Sequence, residues 1–416
     1  MKKTVNHILA AGLLALLSLA SCTDEFIEGN DLQGVDRDKR VEVRLPFGVG
    51  RGITTTITTR AAGGEIDYDS QLSGVMAFVY EAKSDNPEEN ELLAYHLFSN
   101  PSNKPLEGAT GGWIADNDDP TCGEIKFYVP VGDVYIYLLG NAQSSFLNFF
   151  PGVSGGDALG TQAEFFEKAT PKWNGNIHSV DGYLPLTGMV NNNTGLCHVN
   201  EQGQISYTDE EGKTHTLLPD GKHDEDNSCV LKRLMSKITM NIREGKGVKF
   251  TARDYTVRHI PHYVSPTAQA WTEEERDRIL VEDAKPVNFG LLDSLTFTIY
   301  LPENIRKVRS GVEITEYRQR DKVVKTADNK NTEETAPDDF HADNADNHKG
   351  HYKFEFAPKA STYIELTGWF ENADKTVAAD VRYYIHLGNF GKDLNHFSVE
   401  RDHHYTYNVT INGVDD

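Results

Sequence analysis

The chain has 416 residues and carries 63 acidic against 41 basic side chains, for a formal net charge of −22. This charge argues against binding to nucleic acid or to anionic lipid headgroups, which basic surfaces recognise. The length exceeds that of one average domain and 38% of the residues are hydrophobic, so the chain can build more than one core.

The pattern of the N-terminal residues indicates a secretion signal. Two lysines precede an uncharged apolar run over residues 8–17, which is too short to cross a bilayer, and the sequence Leu-Ala-Ser-Cys ends at Cys22. In signals of this kind, which resemble those of bacterial lipoproteins, the cysteine is acylated and becomes the new N-terminus. We therefore predict a signal peptide over residues 1–22, a lipid such as palmitate on Cys22, and a flexible tether over residues 23–40.

Residues 41–59 begin the folded part with the periodicity of a strand. Apolar side chains recur at every second position, with polar residues, glycine or proline between them. This alternation is typical of a strand with one buried face. The apolar positions include Val41, Val43, Leu45, Phe47, Ile53 and Ile57.

The rest of the chain repeats this pattern and contains few helical signals. Short helices are predicted over residues 164–169, 231–234 and 272–280, and a polar, acidic loop over residues 201–228. The many strands favour a mainly β fold of antiparallel sandwiches, divided into domains over residues 41–228 and 229–416. Strand patterns lie at 127–129 and 134–139, joined by a turn at 130–133, and at 295–301, 352–356, 364–366, 381–387 and 405–411.

No catalytic or metal-binding motif is present in the sequence. Asp343, Asp346, His348 and His351 lack the glycine and glutamate positions of an EF-hand loop, and no serine lies in a Gly-x-Ser-x-Gly turn. The glycines at 48–52 precede a predicted strand and not a helix, so they favour a strand bend over a phosphate site. We predict a non-enzymatic protein with no cofactor and no metal.

The cysteines and tryptophans leave more than one interpretation open. After lipidation three cysteines remain, Cys122, Cys197 and Cys229, which allow at most one disulfide of undetermined pairing. Tryptophans that line one sheet would favour a lipid-anchored glycan-binding protein that serves a polysaccharide importer. Trp113 and Trp173 are the freer candidates, Trp369 is predicted to be partly buried, and the fourth is Trp271.

The late part of the chain resembles a known family. Residues 360–370, 384–389 and 395–413 are similar to the closing strands of the fimbrillin family, the type V pilins and Mfa-like accessory lipoproteins of the Bacteroidetes outer membrane. Four earlier segments agree with the family in the same order. They are residues 131–142, 184–188, 231–238 and 297–304.

This resemblance implies two tandem β-sandwich domains of fimbrillin type in a lipoprotein exposed at the cell outer membrane. In polymerising members an arginine-directed protease removes the first strand, and a strand from the neighbouring subunit fills the groove. By resemblance, residues 41–59 are the displaceable strand and Arg60 is the cleavage site, with Arg51 as the lesser candidate. The implied partners are other fimbrillin subunits.

The resemblance also suggests a place in the fibre. Stalk-forming members continue beyond the equivalent of Gly413 with further strands that act as donors, whereas this sequence stops at Asp416. We therefore expect a fimbrial tip or accessory subunit that contributes to cell adhesion. The alternative is that the sequence is the front portion of a longer product.

Overall fold

The computed structural model describes part of the chain. The described residues are 36–50, 53–58, 72–101, 109, 111–116, 121–142, 147–148, 159–168, 170–178, 183–192, 194–219, 228–267, 280–291, 295–306, 308, 311–325, 340–341 and 351–414.

Strands dominate the first half of the described chain, together with one short helix, α1 (Gln162–Lys168). The strands are β1 (Asp36–Val49), β2 (Ile53–Thr58), β3 (Gly74–Glu81), β4 (Leu92–Ser99), β5 (Trp113–Ala115), β6 (Cys122–Gly140), β7 (Leu147–Asn148), β8 (Lys172–Trp173), β9 (Leu186–Met189), β10 (Leu196–Val199), β11 (Ile205–Thr208), β12 (Thr214–Thr216) and β13 (Cys229–Arg233).

The second half is also built from strands and carries the helix α2 (Tyr317–Arg320). Its strands are β14 (Met235–Glu244), β15 (Val248–Arg258), β16 (Ile260–Pro261), β17 (Val281–Glu282), β18 (Val287–Asn288), β19 (Thr296–Pro302), β20 (Val323–Lys325), β21 (Phe340–His341), β22 (His351–Phe354), β23 (Tyr363–Asn372), β24 (Ala378–His386) and β25 (His403–Ile411). The mainly β fold predicted from the sequence is confirmed.

A ten-stranded sheet contains every strand from β1 to β13 except β2, β7 and β8. Its longest member, β6, pairs with β1 along its first half and with β3 along its second half. We predicted two strands and a turn at 130–133, and this prediction was wrong. Gly132 adopts a φ of 131°, which lets one continuous strand bend while it changes partners.

Two four-stranded sheets follow, with strand orders β19-β14-β25-β2 and β18-β15-β23-β24. In β25 the side chains of Tyr405, Tyr407 and Ile411 are buried, and Val409 packs against the same core, as the alternation predicted. The partner strand β14 alternates in the same way, with Ile238, Met240 and Ile242 buried. Because side chains alternate between the two faces of a strand, every second residue of β14 and β25 points into the core.

The hydrophobic core is continuous between the two halves. The largest cluster joins Phe78 and Tyr137 from the first half to Leu234 and Ile299 from the second half. A second cluster lies within the ten-stranded sheet and holds the inner face of β1. The division into two domains stays a prediction.

The helix predictions had mixed outcomes. Helix α1 begins with a capping box, in which Glu164 N donates to Thr161 Oγ1 at 3.2 Å and Thr161 N donates to Glu164 Oε2 at 3.1 Å. The predicted helix at 231–234 was wrong, because these residues finish β13 and lead directly into β14. The predicted loop at 201–228 contains the hairpin β11–β12, and the predicted helix at 272–280 lies almost entirely outside the described residues.

Candidate functional site

Strand β1 pairs with β6 along most of its length and lies between two strands at its C-terminal end. It runs antiparallel to β6, where Arg40 to Gly48 pair with Pro130 to Cys122, and parallel to β13, where Phe47 to Val49 pair with Cys229 to Leu231. Both backbone edges of its last residues are therefore hydrogen-bonded. If β1 were removed, residues 122–130 of β6 and residues 229–231 of β13 would lose their pairing with it.

The middle of the inner face of β1 is fully buried. Val43, Leu45 and Phe47 are each 0% exposed, and the Phe47 ring meets the edge of Trp113 with the ring centres 4.9 Å apart. Burial of three such side chains is worth about 1.5 to 3 kcal/mol each, before the cost of ordering the strand. The strand is therefore held mainly by its apolar face.

The outer face of β1 is polar and covered in part by a turn. Arg44 Nε donates to Glu124 Oε2 of β6 at 2.8 Å. The turn that contains Gly203 packs so closely on β1 that a Cβ at this glycine would lie 2.1 Å from the Glu42 carbonyl oxygen. The turn must therefore move before β1 can leave the sheet.

Residues 41–59 form two strands in two different sheets, and the single strand predicted for them was wrong. Strand β2 pairs in parallel with β25, from Ile53 opposite His403 to Thr58 opposite Asn408. It is the outermost strand of its sheet, whereas β1 belongs to the ten-stranded sheet. The N-terminal segment therefore joins the ten-stranded sheet to the last strand of the chain.

The corner between β1 and β2 is fixed by buried polar groups. Gly50 N donates to the Leu231 carbonyl oxygen at 2.9 Å. Arg233 Nη1 donates both to the Gly50 carbonyl oxygen at 2.8 Å and to Asp402 Oδ1 at 2.7 Å. Asp402 directly precedes β25, so the same side chains hold the end of β1 and the start of β25.

Next to β2, the ring of His404 lies in a polar network on the outer face of the sheet. Its Nε2 is 2.9 Å from Thr239 Oγ1, which is 3.2 Å from Thr298 Oγ1. Burial lowers the pKa of His404 from the ordinary 6.5 to about 4, and the charge of Lys237 adds to this shift. The ring is therefore neutral at physiological pH.

The structure brings together only some of the residues predicted for the site. Val43, Leu45 and Phe47 line the core, and Val41 packs against it at partial exposure. The backbone of Ile53 and Ile57 lies in β2. Cys22, Arg51 and Arg60 fall outside the described residues.

The described tryptophans do not form a row. Trp113, Trp173 and Trp369 lie in three different sheets, and Trp271 is outside the described residues. Trp173, predicted to be free, is 3% exposed and donates from Nε1 to the Asn176 carbonyl oxygen. Trp369, predicted to be partly buried, is 41% exposed.

The remaining chemistry-bearing residues form no reactive cluster in the described part of the chain. Cys122, Cys197 and Cys229 are buried free thiols. Burial raises the pKa of the Cys197 and Cys229 thiols, so both stay protonated. No group of three His, Cys, Asp or Glu side chains is placed to hold a metal ion there, and Asp343, Asp346 and His348 are outside that part.

No helix among the described residues combines the length and the apolar character that a membrane span requires.

Comparisons with known proteins give one family model and several solved structures. Residues 299–409 match a domain of unknown function, DUF4906. No curated protein matches the chain.

Three of the similar structures are bacterial proteins. The tip fimbrial protein Mfa3 of Porphyromonas gingivalis is 13% identical, with 90% of this chain and 96% of that chain covered and a TM-score of 0.41. A protein of Parabacteroides distasonis described as a candidate cell adhesion protein is 10% identical, with coverage of 90% and 92% and a TM-score of 0.46. A candidate polysaccharide-binding protein of Bacteroides thetaiotaomicron is 7% identical, with coverage of 88% and 90% and a TM-score of 0.31.

Proposed function

We propose that this protein is a non-enzymatic fimbrial tip or accessory subunit that contributes to cell adhesion and assembles by β-strand exchange. It is made as a lipoprotein, held at the outer membrane through Cys22. The fimbrillin-like segments at 360–370, 384–389 and 395–413 support the class of protein. The single observation that carries the mechanism is the position of β1 and β2 at the start of the described chain.

Two features of β1 and β2 suit them for replacement by a strand of a partner. Removal of β1 would leave open its backbone partners on β6 and, opposite its last three residues, on β13. Strand β2 covers the edge of β25. An extended segment with alternating apolar side chains can occupy such a place by β-augmentation, since the backbone hydrogen bonds do not depend on sequence.

Cleavage alone does not release the strand. The buried side chains of Val43, Leu45 and Phe47 still favour the closed sheet after the chain is cut. A partner strand must therefore offer equivalent burial while β1 is displaced. The uncleaved protein is a closed subunit, and the cleaved protein is competent to exchange.

The test is cleavage of the purified full chain by an arginine-specific protease, with Arg60→Gln as the matched control. We expect N-terminal sequencing to find a new start at Ala61 in the wild type only. After the protease is inhibited, the cleaved wild type should take up a labelled peptide that spans residues 36–58, as measured by fluorescence anisotropy, whereas Arg60→Gln should not. A wild type that is cut at Arg60 and takes up no peptide would contradict strand exchange.

A further inference from the structure

The corner at Gly50 has the properties of a site that recognises the backbone of a strand. Arg233 is buried, with 3% of its side chain exposed, and one of its nitrogen atoms contacts both the Gly50 carbonyl oxygen and the Asp402 carboxylate. The carboxylate orients the guanidinium, and the guanidinium donates to the backbone. This contact requires a carbonyl group at one point in space and no particular side chain.

The corner also restricts the residue that occupies it. A Cβ at Gly50 would lie 3.1 Å from Val230 Cγ1 and 3.6 Å from Asp402 Oδ2. The first distance is shorter than an ordinary carbon–carbon contact, so a larger side chain would push against β13. Only glycine, or alanine with a small shift of Val230, fits this position without moving the sheet.

The corner and the apolar groove together define a register. Phe47, Leu45 and Val43 lie three, five and seven residues before Gly50, and β2 begins three residues after it, at Ile53. A slip of one residue would turn the apolar side chains away from the core or remove the carbonyl group from Arg233. A slip of two residues would keep the apolar face inside, so the alternation alone cannot exclude it.

We propose that Arg233, held by Asp402, is a positioning residue that sets the register of the strand which replaces β1 and β2. This inference rests on the proposed strand exchange and names the segment that the site accepts. The occupant is an extended segment of a partner subunit with apolar residues at −7, −5 and −3, a glycine at 0, and a strand from +3 onward. The hydrogen bond from Arg233 to the backbone carbonyl at the corner then discriminates between segments that share the same alternation.

The test measures peptide uptake by the full chain with a specific protease site inserted between Arg60 and Ala61 and then cleaved. Three labelled peptides are compared: residues 36–58, the same peptide without Val49, and the same peptide with Gly50→Val. All three keep Val43, Leu45 and Phe47. We expect the first to bind about tenfold more tightly than the peptide without Val49, the ratio given by a hydrogen bond to a charged group. The peptide with Gly50→Val should also bind more weakly, because its side chain would press against Val230.

Binding of the same peptides is then compared in Arg233→Met and in Arg233→Met combined with Asp402→Asn. These variants separate an effect on strand register from a general loss of stability. In both variants the matched peptide should lose its advantage over the peptide without Val49, since neither variant can donate to the corner carbonyl. Equal binding of matched and shortened peptides to the wild-type protein would overturn the role of Arg233 and leave strand exchange intact. Uptake of none of the peptides would overturn both proposals.

Discussion

His404 illustrates how a single buried ring can make this protein sensitive to acid. Its imidazole lies beside β2, with Thr54 opposite it in register and Lys237 opposite it on β14. The folded state holds the ring neutral because burial and the nearby lysine both oppose a positive charge. In the unfolded chain neither burial nor a nearby lysine opposes protonation of the ring.

We predict that the free energy of unfolding falls as the pH is lowered from 6.5 towards 4. The pKa of His404 is about 4 in the folded state and near 6.5 in the unfolded state, so the unfolded state binds the proton first across this window. Urea unfolding at pH 7.5, 6 and 5 measures the effect. His404→Gln should reduce the decrease between pH 6.5 and 5, and an equal decrease in this variant would contradict the assignment.

The residues at the corner show what the sequence alone could not reveal. Arg233 and Asp402 are 169 positions apart, and neither lies in a recognisable motif. Their pairing follows from the arrangement of β13 and β25, which is a tertiary fact. The glycines at 48–52 predicted only a bend of the strand.

At the scale of the element, β1 is the part of the structure that the sequence predicts best. The alternation of Val43, Leu45 and Phe47 predicted a strand with one buried face, and all three side chains are buried. The same parity continues to Ile53 and Ile57, so periodicity could not reveal that the chain changes sheets after Gly50. An alternation of period two shows which face of a strand is buried, but it does not show to which sheet the strand belongs.

We predict that Phe47→Ala destabilises the protein by about 3 to 5 kcal/mol, because the cavity would lie in the core against Trp113. The matched control is Tyr128→Ala on the neighbouring strand β6, where the ring is 56% exposed. The control should change stability by no more than about 0.5 kcal/mol. Denaturant unfolding of both variants checks the difference, and similar losses would show that β1 is not held by its apolar face.

At the scale of the whole molecule, the class of fold could be predicted and the connections between its parts could not. Strand alternation in the regions of β19, β23 and β25 indicated a mainly β protein. The continuous core that joins Phe78 to Leu234 depends on contacts between segments far apart in the sequence. Local patterns carry no information about such contacts.

We predict that Cys22→Ala moves the protein from the detergent phase to the aqueous phase in a Triton X-114 partition of cells that express it. The acyl chains on Cys22 are the expected attachment to the membrane, since a pair of lipid chains gives stable anchoring. Cys122→Ala, at a buried thiol, is the control and should stay in the detergent phase. Retention of Cys22→Ala in the detergent phase would contradict lipid anchoring.

The pairing of β2 with β25 has a consequence for how the chain folds. Residues 53–58 bond to residues 403–408, so the sheet cannot be completed until almost the entire chain has been synthesised. Closing a loop of this length is slow and costs more entropy than a local hairpin. Strand β2, which is made early, is thus among the last strands to find its partner. During that interval the backbone hydrogen-bonding groups of β2 are open to strands of other chains, so the pairing that completes the monomer can also join two molecules.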